Sequence, residues 1–332
     1  MKKFITEVLV IALCLILCGC TETETETENG NINIVATVFP AYDFAREITE
    51  GSANITLLVP PGSEVHGFEP TPQDIIRIEK CDLLIRNGGE GEVWLEEILE
   101  GLDRDIAVVT MLECVEALEE ETKEGMQSVE HEHEHGHEHE HEHEHEDEHE
   151  HEHEHEVEYD EHVWTSPVNA RLICRAIAKA LGEADADNAK KYENACEEYC
   201  VKLSELDRKF REIVDGAACK TVVFADRFPV RYFVEEYGLE YFAAFPGCAE
   251  DTEPSAKTVA FLIDRLREYK TPAVFYIEFS NEKMADIICE DTNCKKLLFS
   301  SCHNVTAEQF KNGASYLELM AENAINLREA LG

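Results

Sequence analysis

A chain of 332 residues with 44% hydrophobic content is long enough to bury a core of its own and to divide into two domains. Its formal net charge of -42 excludes a polyanionic partner such as nucleic acid, because no surplus of Lys and Arg is available to neutralise phosphate. Cations are the partners such a chain favours.

The N-terminus, MKKFITEVLVIALCLILCGC, has two lysines, an apolar run from Val8 to Leu17 and small residues ending at Cys20. Residues 1–19 read as an export signal. Leu17-Cys18-Gly19-Cys20 resembles the lipobox of bacterial-type lipoproteins, which would make Cys20 the lipidated first residue of the mature chain; a plain cleaved signal or an uncleaved anchor are the alternatives. No later stretch is apolar enough to span a membrane. The chain is therefore expected to be exported and held at the cell membrane by a lipid anchor, with residues 20–30, including TETETETENG, as a charged leash. Of its 13 cysteines, those beyond Cys20 form no CxxC pair. Cys248, Cys289, Cys294 and Cys302 are the candidates for disulfides, with the connectivity open.

From Ile32 to Val38 the chain predicts a strand, followed by a turn at Pro40 and an amphipathic helix. ITLLV predicts a second strand running into a loop. That loop ends at Thr71, a helix cap, with Pro72 at the first helical position and Asp74 at the positive end of the dipole. CDLLIR, the helix VWLEEILEGL and the strand Ile106 to Thr110 complete a first α/β lobe over 31–165. Within it lies an insertion, 126–158, rich in His and Glu and expected to be disordered. Ser166-Pro167 starts a helix, and Ala186 to Val214, free of Pro and Gly, predicts one long helix, so that 166–216 links the lobes. The alternation then returns over 217–332: TVVFADRF, VRYFVEEYG, LEYFAAF, a helix from Ser255 to Tyr269, PAVFYIEF, NEKMADIICE, KLLFS and a final helix from Ser315 to Leu331. The expected fold is α/β, two Rossmann-like lobes with parallel sheets joined by a long rigid helix. Ligands of such sheets bind in the cleft at the C-terminal ends of the strands.

Most of the 15 histidines fall in the insertion: His131, His133, His135, His137, His139, His141, His143, His145, His149, His151, His153 and His155. HEHEH there matches the zinc-protease pattern only by composition, since a strictly alternating polar tract has no apolar face on which to pack a helix. Alternating imidazoles and carboxylates can still bind borderline metals at many interchangeable, low-affinity positions, so the tract is expected to collect zinc near the cleft or to act as a sensor of metal sufficiency. His66, His162 and His303 differ, because each lies in or beside a loop at the expected cleft, near the carboxylates of Asp226 and Glu278. Three histidines and one carboxylate would fill a tetrahedral zinc shell.

HGFEPTPQDI, CDLLIRNGGEGEVWLEEIL, the His-rich insertion and EHVWTSP, in this order, resemble the zinc and manganese class of periplasmic solute-binding proteins that serve ABC transporters, with the likeness running from about Ile32 to the C-terminus. The resemblance implies a non-enzymatic monomer that binds metal between two lobes and docks on a permease driven by its ATPase. It implies His66 and His162 as ligands. The histidine that this family commonly supplies from the first strand of the second lobe is absent; FADRF offers Ala225 and Asp226 instead. His303 fits the place near the last strand, and Asp226 and Glu278 compete for the remaining one. Imidazole donors favour Zn2+, while more oxygen donors would favour Mn2+ or iron. Two other functions fit the same residues: an extracellular metal buffer or adhesin, and a zinc hydrolase with Glu278 as base.

Overall fold

The computed structural model describes residues 31–63, 67–127, 158–249 and 254–332. The stretch expected to be an export signal, Cys20 with its expected tether, His66, and the twelve histidines from His131 to His155 lie outside the described residues. Among the described residues no helix is long and apolar enough to cross a membrane.

The first lobe contains β1 (Ile32–Ala36), α1 (Phe39–Thr49), β2 (Ala53–Leu57), α2 (Pro72–Lys80), β3 (Leu83–Arg86), α3 (Val93–Glu100) and β4 (Ala107–Thr110). Its sheet has the order β2-β1-β3-β4, with all pairs parallel. Two helices follow, α4 (Pro167–Ala184) and α5 (Ala189–Gly216). The second lobe then runs β5 (Thr221–Phe228), α6 (Arg231–Tyr237), β6 (Glu240–Pro246), α7 (Ala256–Tyr269), β7 (Ala273–Tyr276), α8 (Lys283–Thr292), β8 (Lys295–Leu298), α9 (Ala307–Lys311) and α10 (Tyr316–Leu331). Its parallel sheet repeats the same topology, β6-β5-β7-β8.

The strands read as continuous apolar runs because both faces of each sheet are covered. Successive side chains alternate between those faces. Val35 and Leu84 meet Leu58, Ile78 and Leu95 on the outer side of the first sheet. Val223, Ala225 and Val274 meet Leu262, Leu266 and Ile288 on the outer side of the second. The opposite faces, carrying Ile34, Leu83 and Ile85 in one lobe and Val222, Phe224 and Phe275 in the other, belong to one continuous core that passes through α4, α5 and α10. Along α5 that core takes Tyr192, Cys196, Tyr199, Cys200, Leu203, Leu206 and Phe210, each with partners three or four residues away on one helical face. Because α5 packs on α1 of the first lobe and on α10 beyond the second sheet, it acts as a rigid strut. Emptying its middle by Leu203→Ala would cost about 2–5 kcal/mol.

Local signals place most boundaries. Thr71 and Asp74 form a capping box at α2, and Ser166 accepts from Val168 and Asn169 ahead of α4 with Pro167 in its first turn. Several boundaries differ from the sequence expectation, three of them by enough to matter. β1 stops at Ala36 and α1 takes Pro40 into its first turn, where a missing N–H costs nothing. α5 begins at Ala189, because Asp185 and Asn188 are hydrogen-bonded into a turn, at 2.8 Å. PAVFYIEF is extended only from Ala273 to Tyr276, leaving Glu278 on a loop.

The segment 118–127, in the sequence part of the first lobe, lies against the second. Leu118 and Glu120 form a short antiparallel ladder with Glu158 and Asp160, around the Glu119–Tyr159 bridge. The Tyr232 hydroxyl on α6 pins both arms, accepting from Leu118 N–H at 3.1 Å and donating to the Asp160 carbonyl at 2.8 Å. Further on, Gln127 N–H donates to Ala244 on the edge strand β6 at 2.9 Å. Gly125 has φ +90°, and a Cβ there would collide with the Phe261 ring, so glycine is required at this close approach. The described residues on both sides of the His/Glu tract thus lie on the second lobe.

Candidate metal centre

His162 closes the loop that enters α4. Its carbonyl accepts from the Thr165 hydroxyl at 2.8 Å and from Thr165 N–H at 3.1 Å, fixing the turn. The Asp160 carboxylate accepts from His162 N–H at 2.9 Å and lies 3.2 Å from the ring Nδ1. Both side chains are buried. A carboxylate on Nδ1 sets the tautomer with the proton there and makes Nε2 the lone-pair nitrogen, the arrangement of a metal-ligating histidine and its outer partner. Burial disfavours the charged imidazole, but the Asp160 carboxylate, with Glu161 and Glu120 behind it, outweighs burial and holds His162 above its ordinary range. The same negative field favours a metal cation. Burial also pushes the neighbouring Glu161 carboxyl up to about 7, although Gly91 N–H donates to it at 2.8 Å.

Glu278 and His303 come together through sheet topology. β7 and β8 are parallel neighbours, with Tyr276 opposite Leu298, so the loops leaving their C-terminal ends emerge side by side. Glu278 accepts from the Ser301 hydroxyl at 2.6 Å, Ser301 N–H at 2.7 Å and His303 N–H at 3.2 Å. Burial raises its carboxyl, and these donors oppose the rise. Phe279 has φ 60° and Cys302 has φ 61°, left-handed conformations that bulky residues seldom adopt and that persist only where the surroundings enforce them. Both stand directly beside a candidate ligand.

Trp164 ties these loops to the first lobe. Its indole N–H donates to the Ser301 carbonyl at 2.7 Å, and its own carbonyl accepts from the Tyr316 hydroxyl at 2.7 Å. The ring lies 5.0 Å from that of His303, and the His303 and His162 rings are 5.2 Å apart at 83°. His162, Glu278 and His303 line one cavity of about 20 Å³, with Arg227, Ser63 and Asn304. That volume admits a water or a single ion. Asn304 donates to the carbonyls of Pro60 and Ser63, each at 2.9 Å, and so anchors the first-lobe loop three residues before His66.

Asp226 does not line this cavity. It accepts from Arg227 N–H at 2.9 Å; burial raises its carboxyl while a Ser280 hydrogen bond opposes the rise. Arg227 lines the cleft instead, at a register shift in β5 between Phe224 and Arg227. Among the described residues, no group of three or more His, Cys, Asp or Glu side chains is arranged to hold an ion. Asp160, Trp164 and Arg227 were not among the residues expected at the site. A signal for Asp160 existed in the spacing Asp-Glu-His, which lets a carboxylate reach back to the imidazole two residues on; Arg227 had none, because the β5 irregularity decides which side chain faces the cleft.

Two parallel α/β lobes on a helical strut, with a small cavity at the ends of their strands, have the architecture of a solute-binding protein. The family model for the periplasmic component A of zinc-uptake complexes matches residues 34–330, and the chain belongs to that family. It is similar to the high-affinity zinc uptake system protein ZnuA of Bacillus subtilis, 29% identical over 304 residues that cover 90% of this chain and 88% of that one. It is also similar to the zinc-binding lipoprotein AdcA of Streptococcus pneumoniae, 27% identical over 305 residues, covering 90% of this chain but 55% of that longer relative. Among solved structures, the metal-dependent lipoprotein YcdH of Bacillus subtilis matches with a TM-score of 0.72 at 25% identity, covering 91% of this chain and 99% of that one. The Zn(II)-bound ZnuA-like domain of Streptococcus pneumoniae AdcA matches with a TM-score of 0.71 at 24% identity over 91% of this chain and 99% of that one, a likeness of fold.

Proposed function

We propose that this chain captures Zn2+ outside the cytoplasm and delivers it, chemically unchanged, to the permease of an ABC transporter worked by its ATPase. The observation that carries this is the Asp160-held His162 facing His303 and Glu278 across a cavity of about 20 Å³. His66, three residues beyond the anchored Ser63, would join them, and His162, His303 and Glu278, not yet arranged to share an ion, would draw together on loading to give three imidazoles and one carboxylate, a donor set that suits zinc better than manganese. Glu278 takes the fourth place in preference to Asp226, since it is the carboxylate that lines the cavity.

Ligands then come from both lobes, so loading favours the closed arrangement by the difference in affinity between the two states, and α5 limits the swing. The chain works as a monomer, exported and anchored through Cys20. Its His/Glu tract gathers zinc at low affinity near the cleft. Zinc and manganese titrations of the chain lacking residues 130–156 test the proposal. One tight zinc site should remain, with manganese bound less tightly and total stoichiometry reduced by several ions. Loss of the tight site on deletion would assign zinc binding to the tract and overturn it.

A further inference from the structure

Away from the cleft, two cysteines are placed for covalent chemistry. Cys289 lies in the last turn of α8 and Cys294 immediately precedes β8, and their sulfurs stand 3.1 Å apart. The turn between them is well defined. Asn293, at φ 57°, donates its N–H to the Cys289 carbonyl at 2.8 Å, and Cys294 N–H donates to the Thr292 hydroxyl at 3.3 Å. Both cysteines are partly exposed, within reach of a solution thiol.

Two readings of such a pair compete. Thiolates sharing one tetrahedral zinc at about 2.3 Å each would stand about 3.8 Å apart. The observed separation is shorter than that, and about 1 Å of approach reaches a covalent S–S bond. Cys196 and Cys200, by contrast, are 4.0 Å apart and buried within the helix packing, shut off from a redox partner. We propose that Cys289 and Cys294 are a redox pair that closes to an intramolecular disulfide, stapling the end of α8 to the start of β8.

The oxidant is a disulfide donor, a small-molecule disulfide or an oxidoreductase of the dithiol class. One cysteine thiolate attacks a donor sulfur, releasing the first donor thiolate and forming a mixed disulfide. The second cysteine displaces the other donor thiolate, and the two cysteine protons pass to solvent or to the leaving thiolates. The donor is reduced to two thiols as the cysteines are oxidised. β8 pairs with β7 alone, at the edge of its sheet, and runs on to Ser301 and His303. The staple therefore secures the least supported strand of the second lobe. The inference stands apart from what the cleft binds.

The full chain, equilibrated with oxidised glutathione, alkylated and digested with trypsin without reduction, provides the test, because residues 284–295 form one tryptic peptide holding both cysteines. That peptide should appear lighter by two hydrogens and unalkylated, then take two alkyl groups after reduction. The oxidised chain should melt about 3 °C above the reduced one, as expected for a closed loop of a few residues, and the Cys289→Ser/Cys294→Ser variant should lose that difference. Quantitative alkylation of both cysteines after oxidation would overturn the proposal, as would a link from either to a cysteine elsewhere, or protection from alkylation with no loss of mass.

Discussion

Replacing Asp160 with Asn removes one negative charge from behind His162 and keeps the shape of the side chain. The carboxylate is buried, accepts from the His162 backbone N–H at 2.9 Å and lies 3.2 Å from the ring Nδ1, so water screens it little. A hydrogen bond to a charged group contributes about 1.5–3 kcal/mol, and outer partners of ligating histidines commonly govern 10–100-fold in metal affinity. The 3.2 Å separation is long for such a bond, which places Asp160→Asn toward the lower end, about 10–30-fold weaker zinc binding, or about 1.4–2 kcal/mol. The assay is calorimetric titration against a competing chelator, using the chain without residues 130–156, at about pH 8 where proton competition for imidazole is small. In a His162→Ala background the same substitution should be nearly silent. Affinity within twofold of the parent, or an equal loss in both backgrounds, would refute the claim that Asp160 acts through His162.

Glu278→Gln is expected to weaken zinc binding at least tenfold, while Asp226→Asn stays within about threefold in the same titration, since only the former side chain lines the cavity. Tyr232→Phe, which removes the hydroxyl bonded to Leu118 and Asp160, should cost about 1–3 kcal/mol in urea unfolding. Asp43 sets a pH dependence: burial holds its carboxyl at about 6 against an ordinary 3.8, with Arg46 opposing. Because the folded value is raised, this group's stabilising contribution is fully present below about pH 4 and is lost as pH rises through about 6. Relative to Asp43→Asn, the parent should therefore gain up to about 3 kcal/mol between pH 7 and pH 4; a flat difference would contradict the assignment.

Much of this architecture is legible along the chain, because its signals are local. Thr71 and Asp74 announce α2, Ser166-Pro167 announces α4, and apolar runs alternating with helical periodicity specify two parallel sheets. His303 and Glu278 could be placed near one another from topology, since consecutive parallel strands usually lie side by side. What could not be read depends on contacts distant in sequence or on backbone detail. No local pattern says that 118–127 will leave the first lobe for Tyr232 and Ala244. Nor does any residue type forecast left-handed Phe279 and Cys302, or the β5 irregularity that turns Arg227 rather than Asp226 into the cleft. Glu278 and Asp226 looked equivalent in sequence because each follows an apolar run; only the register separates them.

The ladder between 118–120 and 158–160 makes the intervening stretch a closed excursion. The entropy of joining the ends of such an excursion grows only with the logarithm of its length, about 0.6 kcal/mol for each doubling. Repeats of the His-Glu unit can therefore be gained or lost over generations at little thermodynamic expense, while the Asp160–His162 geometry just past the ladder stays fixed. A chain built this way can change the length of that stretch without disturbing the geometry on either side of it.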